Sequence, residues 1–324
     1  MTLQLASEMD GFGTAAKRLL ASNMDPNCLR TNGTMLKDEW QKTDDTVKDI
    51  MFQELRGMRD LLERGLTYPV EGLKTTVVEW QRASDIGDAQ LSMVASTRSD
   101  RDRPTFDQLY LPLPIAHKDF SYDIRELASS RSGAKPLDTY TIELATQAVA
   151  ELQETTLFNG TSSFNFGGGI IYGYTDFPQR NTVTLSDNWD STSKTGEEIL
   201  VDVQAMIQAN VNDRHYGPFI LYYPTAYTTV LGNDFKANSD KSIKSRLMEL
   251  DEIEDIRKSD FLTADNVLLV EMQKRTVDIV DGMAVQPVEW EGEGGMVMNF
   301  KVMGIQIPRM KADKAGRSGI CHLS

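Results

Sequence analysis

The 324-residue chain carries 48 acidic against 34 basic side chains, a net charge of −14, with 40% hydrophobic and 25% charged residues. This is the composition of a folded globular protein rather than a disordered or fibrous one, and the length accommodates one large domain or two ordinary ones. So acidic a chain presents no overall basic face for coating nucleic acid. No apolar run reaches the roughly 18 to 20 residues of a membrane span, and the start MTLQLASEMDGFG lacks a basic region followed by an apolar one. Cys28 and Cys321 have no metal or redox spacing and are expected as reduced thiols in a cytoplasm, where the sequons at Asn32 and Asn159 carry no glycan.

The first residues read as a polar arm followed by an amphipathic helix. From Thr43 to Leu66 apolar residues recur at Val47, Ile50, Met51, Leu55, Met58, Leu61 and Leu62, close to the helical period. GFGTAAK, Gly11 to Lys17, matches a dinucleotide fingerprint in letters only, because no strand precedes it. TTVVEW (Thr75 to Trp80) and the stretch Asp107 to Ile124 then read as strands around a mixed-charge tip, Ser96 to Pro104. Pro112 and Pro114 place at least one of these strands at an edge, since proline cannot donate to a central ladder.

Pro136 and Asp138 supply a start signal for a long helix in which Tyr140, Leu144, Ala148 and Leu152 recur every fourth residue, with Ala145 and Val149 widening the stripe. Leu144 and Leu152 are therefore expected in the core, and Asn159-Gly160 is expected to stop the helix after Phe158. The three glycines Gly167 to Gly169 follow a helix rather than a strand, and no Lys-Ser or Lys-Thr pair comes after them. They read as a backbone turn and not as a phosphate cradle.

Further on, Gly196 to Val211 is a helix, GPFILYY (Gly217 to Tyr223) a short buried strand, and PTAYTTVL a resumed helix. The polar stretch Gly232 to Ser242 and a short helix through Leu247 lead to four strand-like segments, NVLLVEM, TVDIVDG, MVMNFKVMGIQI and SGICHL. The acid-rich MELDEIEDIRKSD lacks calcium-loop spacing and reads as a solvated or subunit-facing surface. The sum is an α+β protein. His117, His215 and His322 stand outside any hydrolase elbow or His-Glu-x-x-His helix, so no catalytic residue, cofactor or metal site is expected.

The succession LPLPIAHKDFSYDIREL, long helix, LFNG and GGGIIYGYTDF resembles the core of encapsulins and of the encapsulin-like major capsid proteins of tailed phages. In that family a strand pair leads through an Asp-x-x-Glu-Leu turn to a spine helix, which ends in a Phe-x-Gly element and a glycine-rich turn. The counterparts are Asp123, Glu126 and Leu127, the helix from Asp138, Phe158 with Gly160, and Gly167 to Gly173. The resemblance runs from about Tyr68 to the C-terminus and implies the tailed-phage major capsid fold. Its parts are an N-terminal arm with the amphipathic helix (1–67), an extended loop with peripheral-domain strands (68–124), a peripheral domain with the spine helix (125–180), an axial domain (181–285) and return strands to the peripheral domain (286–324).

The resemblance further implies a non-enzymatic major capsid protein that self-assembles through pentamers and hexamers into an icosahedral shell enclosing a viral genome. Its place is the virion capsid, assembled in the host bacterial cytoplasm, with scaffold, portal and decoration proteins as further partners and DNA held without tight specific contact. A nanocompartment shell enclosing enzyme cargo is the alternative; the long N-terminal arm favours the viral branch. With Met1 at the start, a scaffold is expected as a separate protein or not at all, and the lysine–asparagine cross-link of some relatives has no matched partners. The assembly candidates are Arg98, Arg101 and Arg103 in the hairpin tip, expected to meet a neighbour's carboxylates, and Asp234, Lys236, Asp240 and Lys241, expected to ring the capsomer axis.

Overall fold

The computed structural model describes residues 46–47, 56–86, 89, 91, 93, 103–123, 125, 140–236, 240–292 and 297–324. The chain divides into two units, one of Met1–Leu55, Ile115–Gln153 and Met283–Ile305, the other of Arg56–Pro114, Glu154–Gly282 and Gln306–Ser324. Residues 48–55 of the expected amphipathic helix, and Pro136 and Asp138 at the expected start of the spine helix, lie outside the described residues.

In the first unit, β4 (Ala116–Asp123) pairs antiparallel with the first part of β12 (Val297–Met310), Asp123 opposite Val297 and Ala116 opposite Gly304. Alternation along β4 turns Phe120 and Tyr122 to one face. There Phe300 stacks on Phe120 at 5.2 Å and meets Tyr122 edge-on at 5.7 Å. The helix α2 (Tyr140–Asn159) closes over them, giving a core of Val47, Tyr122, Ile142, Met298 and Phe300 that continues through Ala145, Val149 and Val302.

This packing corrects the expected stripe of α2. Leu144 and Leu152 are 49% and 47% exposed, whereas Ile142 and Val149 are each 1% exposed. An α-helix turns about 100° per residue, so strict four-residue spacing drifts about 40° at each step and leaves any one face within a few turns. The buried line instead mixes three- and four-residue steps through Ile142, Ala145, Val149, Gln153 and Leu157. Ala150, beside that line, is also fully buried.

The core of the second unit is a five-stranded sheet of β7 (Asn181–Val183), β13 (Ile320–Leu323), β10 (Val267–Glu271), β8 (Phe219–Pro224) and β9 (Ile253–Ser259), in that spatial order. β8 and β13 are antiparallel to β10, while β7 and β9 run parallel to their neighbours. The helix α3 (Gly196–Asn212) starts in a capping box in which the Thr195 hydroxyl accepts from the Glu198 amide and the Glu198 carboxylate accepts from the Thr195 amide. Its Ile199, Val203 and Met206 join Phe219, Leu221 and Tyr223 of β8 in one cluster. On the opposite face of β8, Tyr222 meets Phe158 at 5.3 Å and Tyr174 at 6.3 Å. A strand buried on both faces has to be apolar throughout, as Phe219 to Pro224 is.

β9 occupies the stretch expected as an acid-rich surface. It is an edge strand whose Ile253 and Ile256 are buried, and its pairing with β8 shifts register where Glu254 is the extra residue. The bulge separates the two isoleucines by three positions, which hides the two-residue period.

Three smaller pieces complete the second unit. β1 (Thr67–Pro69) runs parallel to the start of β11 (Val277–Gly292). β2 (Val77–Ala83) and β3 (Phe106–Pro112) form a two-stranded hairpin, Val77 opposite Pro112 and Ala83 opposite Phe106. Gly160, at φ +67°, ends α2 in the left-handed region. The chain then forms the hairpin of β5 (Thr161–Phe166) and β6 (Gly169–Ile171), turning at Gly167 and Gly168 with φ +61° and +79°. A Cβ on Gly169 would lie 2.5 Å from the Tyr110 carbonyl oxygen, so the third glycine admits β3. The glycine run thus serves backbone shape.

Replacing Ile142 or Leu157 by alanine should lower unfolding stability by about 2 to 5 kcal/mol, and Leu144→Ala or Leu152→Ala by less than about 1 kcal/mol. Denaturant midpoints of the four variants test this, and the reverse ranking would return the exposed stripe to the core.

Candidate functional site

The hairpin of β2 and β3 carries Ile86, Leu91, Met93 and Phe106 exposed along and beyond its strands. Arg103 is also exposed, whereas Arg98 and Arg101 lie outside the described residues. An extended ribbon has too little of its own chain to bury such side chains, which then favour contact with another surface.

The second set of candidates is brought together on one exposed loop. It joins α4 (Thr228–Gly232) to α5 (Ile243–Leu247) and is pinched by an isolated bridge between Asp234 and Ser242. Phe235 donates its amide to the Lys241 carbonyl at 2.9 Å, so Asp234, Lys236, Asp240 and Lys241 share a short tongue. Both lysines already have partners: Lys236 contacts Glu197 in the first turn of α3, and Lys241 contacts Glu249. Exposed pairs of this kind are worth about 0 to 1 kcal/mol each.

Sequence reasoning missed a buried carboxylate centre. α1 (Gly57–Glu63) begins with its Gly57 and Met58 amides donating to the Glu154 carboxylate of α2 at 2.6 and 3.2 Å. One turn later Asp60, also buried, accepts from the Tyr222 hydroxyl at 2.7 Å and pairs with Arg257 of β9 at 2.5 Å. Burial pushes the Glu154 carboxyl from its ordinary 4.5 up to about 7, against the pull of the two amides, with Asp60 adding to the rise. Burial likewise raises Asp60, opposed by Tyr222 and Arg257. Sequence offers one hint, an aspartate on the apolar face of the expected amphipathic helix; nothing local links Glu154 to Gly57.

The histidines occupy structural networks. His215 Nδ1 lies 2.5 Å from buried Glu271, which also accepts from Arg275 at 2.6 Å and from the Thr276 hydroxyl at 2.6 Å. Burial alone would raise Glu271, but these hydrogen bonds outweigh it and hold the carboxyl at about 2. Because Thr276 donates to the carboxylate, the imidazole does not activate that hydroxyl as a nucleophile. His322 is depressed to about 4 by burial and by Arg180, and His117 is exposed 3.8 Å from Asp119. Burial raises the Cys321 thiol to about 12, so it stays protonated. Among the described residues no group of three or more His, Cys, Asp or Glu side chains is placed to hold a metal ion, and no helix is long and apolar enough to cross a membrane.

A family model described as a family of unknown function, DUF6260, matches residues 29–323. The chain belongs to DUF6260. No curated protein matches this DUF6260 chain in sequence. In structure it is similar to the virus-like particle from Pyrococcus furiosus, with TM-score 0.61 and 18% identity over 88% of this chain and 99% of that one. The capsid of Myoviridae phage XM1 superposes with TM-score 0.62 and 12% identity over 81% and 90% of the two chains. The capsid of the native GTA particle does so with 0.59 and 13% over 83% and 90%. The DUF6260 chain therefore has the fold of tailed-phage capsid proteins and encapsulin-like shells.

The Glu154 site makes a pH prediction. A carboxyl raised in the fold contributes stability that is complete below its unfolded value of 4.5 and is lost as pH rises through about 7. The loss is on the order of 3 kcal/mol. Denaturant unfolding at mildly acidic and mildly alkaline pH should show the DUF6260 chain weaker in alkali and Glu154→Gln nearly flat; an equal slope in the variant would assign the effect elsewhere.

Proposed function

We propose that this chain is a major capsid protein that assembles through pentamers and hexamers into an icosahedral shell around a phage genome. The observation that carries this reading is likeness of fold across nearly the whole length of shell-forming chains, 99% of the Pyrococcus furiosus particle chain and 90% of the phage XM1 capsid chain. The exposed apolar side chains of the hairpin support it, because a monomer leaves them in water. So does the acidic charge of −14, which suits a wall that does not grip packed DNA through its phosphates.

In this reading residues 1–67 are the arm, 68–124 the extended loop with peripheral strands, 125–180 the peripheral domain with its spine helix, and 181–285 the axial domain. Of the segment 286–324, β12 makes the peripheral return, and β13, paired with β7 and β10, goes with the axial sheet. The loop of Asp234, Lys236, Asp240 and Lys241 approaches the capsomer axis, and Arg98, Arg101 and Arg103 meet carboxylates of a neighbour. The protein acts without catalysis, in the virion, after assembly in a bacterial cytoplasm with scaffold, portal and decoration proteins as partners. A compartment enclosing enzyme cargo is the second reading, favoured by the near-complete coverage of the Pyrococcus furiosus chain.

Electron micrographs of the purified chain should contain closed icosahedral shells, and particles isolated from the source should contain DNA rather than one dominant enzyme. A monodisperse monomer under every assembly condition would defeat both readings. Deleting Ser96 to Pro104 should leave capsomers or monomers. Changing Lys236 and Lys241 together to glutamate should weaken capsomers more at low than at high salt, since salt screens the added repulsion. Normal shells at low salt from that variant would move the loop away from the axis.

A further inference from the structure

We infer that Lys314 and Arg317 form an electrostatic clamp that sets the angle at which the β2–β3 hairpin leaves its unit, and so position the hairpin for assembly. The assembly half of this inference rests on the proposed shell function; the clamp itself does not.

The clamp grips the hairpin at the far end of its described pairing. Ser84 and Thr105 hold the two strands together there, the Ser84 amide donating to the Thr105 carbonyl at 2.9 Å and the Thr105 amide to the Ser84 hydroxyl at 3.0 Å. Lys314 donates to the Thr105 hydroxyl at 2.7 Å and lies 3.2 Å from the Asp107 carboxylate, while Arg317 reaches Asp85. One cation therefore holds the outgoing strand and the other the returning strand. Arg82, 3.4 Å from Asp107, joins the two sides.

The clamp stands on a fixed base. Arg317 donates through Nε and its amide to Asp313 at 2.5 and 2.8 Å, which closes the turn that carries both cations. Below the turn, the Lys311 amide donates to the Thr276 carbonyl at 2.9 Å and its ammonium to Asp278 at 2.5 Å. Arg309 makes a two-pronged pair with the same aspartate at 2.8 and 2.6 Å. Above it, the Ser318 amide donates to Asp213 at 3.2 Å.

Close packing is confined to the root, where the β5–β6 turn meets both strands: a Cβ on Gly167 would lie 2.7 Å from Val77 Cγ2 and one on Gly169 2.5 Å from the Tyr110 carbonyl oxygen. The Arg309 guanidinium lies 5.4 Å from the Trp80 ring centre. Between root and clamp the hairpin borders a cleft of about 250 Å³ lined by Trp80, Tyr110, Tyr172, Phe177 and Met310. A ribbon packed only at its root, with a cleft beside its outer part, leaves its remaining freedom of angle to whatever holds the other end. Here that restraint is made of partly exposed charges, which salt weakens. Exposed pairs are individually weak, yet a small rotation at the root becomes a larger displacement along the ribbon, so a modest restraint governs where it points.

The test is amide hydrogen exchange at Ser84 and Thr105, read beside particle size in micrographs. Lys314→Ala with Arg317→Ala should speed exchange at both amides by about three- to thirtyfold. Raising NaCl from about 0.05 to about 1 M should speed it in the wild-type chain. The variant's shells should become heterogeneous in size or stay open. The charge swap Asp107→Lys with Lys314→Asp should restore protection and size relative to Lys314→Asp alone. Unchanged exchange and unchanged particles in the double-alanine variant would overturn the clamp. Should that variant lose its cooperative unfolding transition, the wild-type salt series decides, and exchange that is constant with salt overturns the inference. A wild-type chain that forms no shell under any condition refutes the proposed function, while its exchange still decides the clamp.

Discussion

A carboxylate taken out of water must find donors, and the donors found by Glu154 determine where much of the second unit begins. The amides of Gly57 and Met58 open α1, where a helix leaves its first N–H groups unpaired, so one side chain of the spine helix satisfies what α1 cannot satisfy itself. Fixing α1 brings Asp60 to the Tyr222 hydroxyl and to Arg257, on β8 and β9. Phe158, four residues past Glu154, packs against Tyr222 from the same side. The helix end, α1 and two strands thus share one centre, half polar and half aromatic. Removing one member would leave a buried charge or hydroxyl without its partner, which costs more than the intact bond contributes.

Two consequences run outward from that centre. β8 cannot be amphipathic, because α3 occupies one face and the Phe158–Tyr174 pair the other. In exchange, polar groups are pushed to the strand ends, where Glu271 gathers His215, Arg275 and Thr276 into a fully paired cluster. The surface is left with features that a lone subunit does not need, an extended hairpin with apolar side chains and a charged tongue. These are the parts that the shell reading employs.

What the sequence made legible was whatever repeats locally. Helix α3, strand β8 and the glycine turn came through because capping, a continuous apolar run and adjacent glycines act within a few residues. The order of elements carried the fold. The buried face of α2 was misread because apolar residues lie on more than one side of it, and only contact with β4 and β12 chooses among them. β9 stayed hidden behind a bulge at Glu254 and a density of charge that its edge position tolerates. Among the candidate residues, the grouping of Asp234 through Lys241 follows from their nearness in sequence, whereas their partners Glu197 and Glu249 arrive from other elements. The Glu154 centre and the Lys314 clamp join residues far apart along the chain, a relation that no local pattern encodes.

The strand order β7-β13-β10-β8-β9 also bears on how the chain reaches its fold. β13, made after the other four, lies between β7 and β10, with Cys321 opposite both Asn181 and Leu269. Until it arrives, β7 has no ladder partner in this sheet and β10 has one open edge, and closing so long a loop is slow relative to forming helices or hairpins. An intermediate of this kind displays bare strand edges, which at high concentration invite pairing with the wrong chain. The interval between synthesis of β10 and insertion of β13 is therefore when dilution or a chaperone matters most to yield.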